Sequence, residues 1–480
     1  MWQKAGHNNL QKASDKNRYD LTEGSILKKL LLVALPIVGS QFIQMTYNLT
    51  DMFWLGKLSS DAVAAAGTAG LFLWLTHAFM LLSSMGAEIG VSQSIGRGER
   101  EEARKYTQNA LFIALFTGVI LGGGVVLFRR PLIGFFNIKE VNVASDAADY
   151  LGIIGAGIPL TFISASITGT FNASGTSRVP FFINAIGLIT NVVLDPIFIF
   201  TLGKGVTGAA LATVSSQVIV CLFSILALLL YKNRPFEKIK LICLPERKIV
   251  AQILKWCVPI SLESLMFSSL TMIISRFVSD WGASAIAVQR LGGQIESLSW
   301  LLGAALGSAF VAFTGQNYGA SKWNRIREGF RLTSLFGIFW GIVISCLMFF
   351  FGGTLYSLFV KESDVIIIGA AYLRILAMCQ ITGNLESISS GAFKGLGKTL
   401  PPTIISGFCN AFRVPLCYFL AKTSLGLDGI WIGVTIGAVM RGFGMFIWYN
   451  LFSRSLPKKD LEEGNIFEIN VKKQDPSVES

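Results

Sequence analysis

The segment "LLLVALPIVGSQF" at residues 30–42 recurs in diverged form as "ILKWCVPISLESL" at residues 253–265. Adding 223 to a residue number superimposes the two segments and pairs Pro36 with Pro259. Self-similarity at a fixed offset is the sequence signature of a duplicated structural unit. The sequence therefore predicts a chain built from two related halves.

The register of this repeat continues beyond the first segment. "SQSIGRG" at 92–98 matches "GQNYGAS" at 315–321 at the same offset, and farther on the offset falls to 222, which pairs Gly175 with Gly397. If each half has an even number of membrane spans, the halves are parallel repeats related by an axis along the membrane normal. Two such halves rocking about a central cleft is the geometry of alternating access.

The amino-acid composition indicates that both halves are embedded in a membrane. Of 480 residues, 52% are hydrophobic and 15% are charged, and the mean hydropathy is +0.57. Crossing a bilayer takes about 20 helical residues, and the alternating short segments of a transmembrane barrel are absent. We predict an all-α polytopic membrane protein with twelve transmembrane helices in two homologous six-helix bundles. The predicted spans are 29–54, 61–83, 106–128, 147–171, 180–202, 206–231, 250–278, 283–312, 332–359, 366–392, 402–421 and 428–452.

The spans and the loops between them give a domain plan and a topology. Lysine and arginine concentrate in the tails and in the even-numbered loops, so the positive-inside rule places both termini in the cytoplasm. The net charge of +12 is then a topology signal, and the basic stretches lack the interleaved aromatics that would bind nucleic acid. The predicted parts are an N-terminal tail 1–28, an N-lobe 29–231, a linker 232–248, a C-lobe 249–452 and a C-terminal tail 453–480.

The residues of common enzyme sites are scarce. There are two histidines, no GxxxxGK[ST] motif, and seven cysteines without metal-ligand spacing. The sequence therefore predicts no enzyme activity, no cofactor and no structural metal.

The segment "GLITNVVLDPIFIF" at 187–200 places Asp195 in an apolar run, with Asn191 one helical turn earlier on the same face. A charge at mid-membrane costs about 2.5 to 3.5 kcal/mol. Asp51 is a second acid in the same half, where the spans contain no deep lysine or arginine. A proton, a Na⁺ ion or a water-filled cavity can lower this cost. The alternatives are that Asp195 hydrogen-bonds a neighbouring helix and that Asp51 reaches water.

The repeat shows that this polar cluster belongs to one half only. The C-terminal counterparts of Asp51, Asn191, Asp195 and Thr213 are Ile274, Arg413, Cys417 and Val434. The C-terminal half has other intramembrane polar residues, which we take as candidate substrate or ion contacts: Glu263, Gln294, Glu296, Glu386 and Arg413. We expect Arg413 to pair with one of the acids. Pro36 and Pro259 are either hinges or static kinks.

The segments "YNLTDMFWLGKLSSDAVAAAG" at 47–67, "NVVLDPIFIF" at 191–200, "QIESLSW" at 294–300 and "GQNYGA" at 315–320 resemble the multidrug and toxic compound extrusion (MATE) family. The resemblance covers about 25–455 and is greatest for the DinF-like bacterial branch. It implies a V-shaped monomer of the MATE/MOP-type fold in the bacterial inner membrane. Such an antiporter expels drugs or toxic organic compounds, commonly amphipathic cations, in exchange for H⁺ or Na⁺.

The resemblance also implies roles for individual residues. The positions that match the family's N-lobe cation site are Tyr47, Asp51, Asn191, Asp195 and Thr213, and Pro36 matches the position where span 1 bends. Some members bind the cation through a glutamate in span 7, where this chain has Phe267, and Glu263 lies one turn earlier. This departure favours the N-lobe site.

Other functions stay open at this stage. A lipid-linked oligosaccharide flippase of the same superfamily would line its cavity with arginines, for which Arg276, Arg290 and Arg413 are the candidates. A passive channel or a receptor is a further alternative. Neither the substrate nor the choice between H⁺ and Na⁺ follows from the sequence, because the same oxygens serve both ions.

Overall fold

The computed structural model describes residues 20–136, 138, 140–231, 234, 236, 239, 244–457 and 460. The predicted tails, apart from their residues next to the first and last helices, and most of the predicted linker lie outside these ranges. Within them the chain is helical and contains no strand. The helices are α1 Ile26–Leu58, α2 Ser60–Gly96, α3 Arg100–Gly134, α4 Val141–Ala173, α5 Arg178–Pro196, α6 Gly205–Leu230, α7 Arg247–Ser279, α8 Ala283–Gly319, α9 Trp323–Ser357, α10 Ser363–Ala377, α11 Gln380–Gly395, α12 Leu400–Ala421 and α13 Gly426–Arg454.

The prediction of twelve spans is confirmed, with one correction to their form. Eleven helical segments are each long and apolar enough to cross a membrane. The twelfth span is the pair α10 and α11, which meet at a 47° bend. Several helices extend past their predicted ends, since α2 runs to Gly96 and α8 to Gly319. Hydropathy locates the apolar centre of a span but misses its polar last turns.

The first helix of each half begins on the opposite half. Leu30 and Val33 of α1 pack in an apolar cluster with Phe310 of α8. The equivalent start of α7 packs on the N-lobe, where the Trp256 ring stacks on Tyr106 with ring centroids 5.7 Å apart. Farther along, both helices return to their own lobe, as Leu55 does in α1. This crossover joins the two bundles into one molecule.

The lobes meet most closely where α2 and α8 end, a region that we call the closed end. A Cβ atom on Gly96 would lie 2.0 Å from the Gln316 carbonyl oxygen, and one on Gly319 would lie 2.2 Å from that of Gln93. Only glycine permits backbones to approach to this distance. The two contacts are related by the sequence repeat.

Hydrogen bonds at the closed end follow the same symmetry. Gln93 Nε2 donates to the Gly395 carbonyl at 2.9 Å, and Gln316 Nε2 donates to the Ala173 carbonyl at 2.7 Å. The donors are repeat partners, and so are the acceptors. Between the lobes, all hydrogen bonds of the described residues lie in the half of the bundle that contains the closed end. Toward the opposite end, the described parts of the lobes share no hydrogen bond or ion pair.

Candidate functional site

Four helices of the N-lobe bring together the polar residues that the sequence singles out. The helices are α1, α4, α5 and α6, and the cluster lies in the part of the lobe far from the closed end. Asp51 and Asp195 are near enough to interact electrostatically with each other and with Tyr47. The members, which we call the N-lobe site, are Tyr47, Asp51, Tyr150, Asn191, Asp195, Thr213 and Ser216.

Helix α5 contributes the most buried pair. Asn191 and Asp195 are both 0% exposed, and Asn191 Nδ2 donates to Asp195 Oδ1 at 3.2 Å. The helix then widens into a π turn at Ile197–Thr201, in which the Leu202 N–H donates to the Ile197 carbonyl at 2.8 Å. Pro196 begins this change because it cannot donate a backbone hydrogen bond. Single π turns inside helices are frequent at functional sites.

Asp51 is the second carboxylate of the site. It is 8% exposed, so it lies inside the lobe and does not extend to the surface. Its Oδ2 accepts a hydrogen bond from the Tyr150 hydroxyl at 3.2 Å. Tyr150, on α4, has no role in the site predicted from the sequence, and its contact with Asp51 is a tertiary feature.

Tyr47 and α6 form the adjoining wall. The Tyr47 hydroxyl lies 2.6 Å from Ser216 Oγ and donates to the Thr213 carbonyl at 3.4 Å. Ser216 Oγ also donates to that carbonyl, at 2.8 Å. The Thr213 carbonyl therefore accepts hydrogen bonds from both hydroxyls, while the Thr213 hydroxyl has no hydrogen-bond partner among the described residues.

The site has more buried oxygens than donors. Within the described residues, four of its side-chain oxygens are buried without a hydrogen-bond partner: Asp51 Oδ1, Asn191 Oδ1, Asp195 Oδ2 and Thr213 Oγ1. Over the same ranges neither carboxylate has an ion pair with lysine or arginine. An isolated buried carboxylate is costly unless it is neutralised. Protons and hard cations such as Na⁺ both use oxygens of this kind.

Ligands for a transition metal are not gathered anywhere in the described chain. No group of three or more His, Cys, Asp or Glu side chains comes together there. The six described cysteines are free thiols, and five of them are buried.

Pro36 and its repeat partner Pro259 lie inside unbroken helices. Pro36 is in the first part of α1, on the stretch that packs against the opposite lobe. It precedes Asp51 by fifteen residues, about 22 Å along a helix. Pro259 has the same place in α7.

In the C-lobe, the expected ion pair forms with a different base. Glu386 Oε2 lies 2.7 Å from Nε of Arg441 on α13, while Arg413 Nη2 donates to Thr271 Oγ1 at 2.7 Å. The prediction that Arg413 pairs with an acid is wrong, since within the described residues no carboxylate lies within 4.0 Å of it. Arg441 was missed although it lies in the middle of the predicted span 428–452, where an ionisable residue is itself a signal of a functional site.

The other C-lobe candidates are less closely joined. Glu296 is half-buried and interacts electrostatically with Arg413 and Arg441. Glu263 interacts with Glu386 and has a buried oxygen without a partner in the described ranges. Gln294 is exposed.

The three arginines considered for a flippase are not brought together. Arg276 bonds to Asp280 one turn away at the end of α7. Arg290 is exposed, and Arg413 is 6% exposed next to Arg441.

A buried acid at the junction of the lobes was missed by the sequence analysis. Glu88 of α2 is 4% exposed, and its Oε1 accepts a hydrogen bond from Ser308 of α8 at 3.0 Å. It lay outside the predicted span, which ended at residue 83. The available signal was that Glu88 is the only acid between Asp61 and Glu99.

Comparison with known proteins places this architecture in a class of multi-pass membrane transporters. The MatE family model matches twice, at residues 36–197 and 259–419, once in each half. The chain therefore belongs to the MatE family, as its resemblance to that family indicated.

Relatives and solved structures agree with this family. The chain is 30% identical over 429 residues to the probable multidrug resistance protein NorM of Thermotoga maritima, covering 87% of this chain and 90% of the relative. It is 25% identical to the probable multidrug resistance protein YoeA of Bacillus subtilis, covering 88% and 94%. A crystal structure of MATE in the bent conformation superimposes with a TM-score of 0.85 at 24% identity, covering 92% of this chain and 98% of that one. These matches confirm the two-bundle fold.

Proposed function

We propose that this protein is a cation-coupled antiporter that exports drugs or toxic organic compounds by alternating access. The coupling ion is H⁺ or Na⁺, and it binds at the N-lobe site. The exported compounds are small and amphipathic and carry a positive charge. The names of two relatives as probable multidrug resistance proteins support the export of drugs.

One observation carries the proposal. Asp51 and Asp195 are buried in one lobe, each with an unpaired oxygen, and no basic side chain of the described chain pairs with them. A fixed partner would balance their charge permanently. Because there is none, a mobile ion has to supply the balance, and its binding changes the free energy of the site.

The transport cycle follows from competition for this charge. A cationic substrate enters the cleft and is attracted by the two carboxylates. A coupling ion from outside then neutralises Asp51 and Asp195, their hydrogen bonds rearrange, α1 bends near Pro36 and the substrate leaves. The lobes then rock so that the ion is released inside.

The orientation follows from the charges near the closed end. Arg97 and Arg100 follow the end of α2, and Lys322 follows the end of α8. By the positive-inside rule this end faces the cytoplasm, so the cleft of this conformation opens outward. We propose a monomer in the bacterial inner membrane, surrounded by lipid, with both termini in the cytoplasm.

The test is ethidium export from proteoliposomes that contain the purified protein. We expect Asp195→Asn and Asp51→Asn each to lower the initial rate at least about tenfold, because a neutral amide cannot bind the coupling ion in place of a charge. Asp61→Asn is the matched control, since Asp61 is an exposed acid in the first turn of α2. Its rate should equal that of the unmodified protein.

The coupling ion is identified by imposing one gradient at a time. A pH gradient without Na⁺, or a Na⁺ gradient at constant pH, should drive export alone. Wild-type rates in both asparagine variants would refute the N-lobe site, and export without either gradient would refute antiport.

A further inference from the structure

The C-lobe holds a pair of arginines around one aromatic ring. The guanidinium carbon of Arg413 lies 5.2 Å from the centre of the Phe267 ring, and that of Arg441 lies 5.5 Å from it. These distances are within the range of cation–π attraction. Phe267 therefore offsets part of the cost of placing two like charges side by side.

The two guanidinium groups differ in how their charge is balanced. Arg441 pairs with Glu386 through Nε and donates from Nη1 to Asn410 Oδ1 at 3.1 Å. Among the described residues, the hydrogen bond of Arg413 goes to the neutral hydroxyl of Thr271, and its Nε is buried without a hydrogen-bond partner. The Nε of Arg441 also lacks a hydrogen bond of good geometry there, but it lies 2.7 Å from the Glu386 carboxylate. Arg413 is thus a buried cation with an unused donor edge.

The remaining charges nearby do not occupy this edge. Glu296 and Glu386 both act on Arg413 electrostatically, but neither makes an ion pair with it within the described residues. Glu263 interacts with Glu386 and lies on the α7 helix. These acids lower the positive electrostatic potential around Arg413 and Arg441. The donor edge of Arg413 therefore suits a ligand with a single anionic group and not a large polyanion.

The sequence repeat relates this arginine pair to the N-lobe site. Arg413 occupies the position that Asn191 has in the N-lobe site, and Cys417 occupies that of Asp195. Equivalent places in the two lobes therefore carry opposite polarity. The N-lobe offers carboxylates to a cation, and the C-lobe offers a guanidinium edge.

We infer that Arg413 is the centre of a C-lobe site that binds an oxyanion, a phosphate or carboxylate, on an organic substrate. A guanidinium edge matches the two oxygens of such a group. This inference rests on the proposed function and narrows its substrates to compounds that carry an anionic group as well as a positive one.

The test uses two probes with the same flat ring system. Riboflavin is neutral, whereas flavin mononucleotide (FMN) is riboflavin with a phosphate group. Binding to the full-length protein in detergent is followed by quenching of flavin fluorescence. We expect the protein to bind FMN about tenfold to a hundredfold more tightly than riboflavin, the range for hydrogen bonds to a charged group.

Variants assign the preference to one residue. In Arg413→Gln the preference for FMN should disappear, because FMN affinity falls to that of riboflavin. The matched control is Arg276→Gln, which removes an exposed arginine that already bonds to Asp280. If Arg413→Gln is not recovered folded, Arg413→Lys replaces it, because lysine keeps the charge but loses the two-donor edge. We expect its preference to fall about tenfold.

Equal affinity for the two flavins in the unmodified protein would overturn the inference. So would an unchanged preference in the Arg413 variants. Because equilibrium binding needs no ion gradient, failure of this experiment is distinct from failure of ion-coupled ethidium export, which tests the N-lobe site.

Discussion

At the scale of residues, Tyr150 is the side chain that contacts the Asp51 carboxylate. Its hydroxyl donates to Asp51 Oδ2, and the structure describes no other donor to this carboxylate. A hydrogen bond to the charged form favours that form over the neutral or ion-bound one. Under the proposed function, the Tyr150 hydrogen bond therefore competes with the coupling ion for Asp51.

Tyr150→Phe removes this donor while keeping the ring. We expect the coupling ion to bind about tenfold more tightly, which corresponds to ~1.4 kcal/mol, and the maximal rate of ethidium export to fall because release is slower. The measurement is the ion concentration at half-maximal export.

The repeat provides the control for this variant. Tyr372 is the C-lobe counterpart of Tyr150, and its ring contacts Trp431 at 5.0 Å between centroids. Tyr372→Phe should leave the half-saturating ion concentration unchanged. A weaker apparent ion affinity in Tyr150→Phe would contradict this role for Tyr150.

At the scale of elements, the crossing of α2 and α8 depends on glycine. The three atoms nearest to a Cβ atom on Gly319 would all belong to backbone: the Gln93 oxygen, the Arg97 nitrogen and the Gly96 carbonyl carbon. Backbone cannot rotate away as a side chain can, so the helices would have to separate. The crossing distance is thus fixed by the lack of side chains at this point.

We expect Gly319→Ala to lower the free energy of unfolding by about 1 to 3 kcal/mol, the usual cost of overpacking. Gly123→Ala is the control, because a Cβ atom on Gly123 of α3 has no neighbour within 4 Å. The control should be neutral or slightly stabilising, since alanine favours helix. Thermal unfolding in detergent measures both, and equal melting temperatures would show that the crossing tolerates a methyl group.

At the scale of the whole molecule, the closed end holds the two bundles together. Its symmetric hydrogen bonds from Gln93 and Gln316 join the lobes, and the proposed alternating-access cycle requires them to break. Cys257 is buried at the same junction, where a Cβ atom on Gly86 would lie 3.4 Å from its Sγ. Its thiol therefore reports on opening of this end.

Replacing both glutamines by leucine should shift the population toward the conformation that is open at this end. The two side chains make three hydrogen bonds between the lobes, because Gln316 Oε1 also accepts one from the Leu21 N–H at 3.0 Å. Each contributes about 1 kcal/mol, so the double variant should raise the open fraction roughly 150-fold. The measurement is the rate at which N-ethylmaleimide modifies Cys257 in a variant whose other cysteines are serine.

The control for the double glutamine variant is Gln289→Leu, because the Gln289 amide donates a hydrogen bond to Ser275 within one lobe. Its labelling rate should match that of the unmodified junction. If Cys257 reacts equally slowly in the double variant, the three hydrogen bonds of Gln93 and Gln316 do not hold the lobes together.

The sequence by itself determined the membrane spans, the duplication, and the presence in the first half of intramembrane acids without a deep lysine or arginine. Hydropathy and repeat register are properties of the chain read in order, so no partner needs to be known. Glu88 cannot be found in this way, because the last turns of α2 are too polar for hydropathy to include them in the span.

The tertiary structure decided which side chain meets which. The Tyr150 contact with Asp51, the pairing of Glu386 with Arg441 and the unpaired edge of Arg413 depend on how helices are rotated about their axes and shifted against one another. These rotations are set by packing across the whole bundle, through glycines and small residues far from each site. For that reason the sequence determines which charges enter the membrane, and only the packed structure determines which of them remain without a partner.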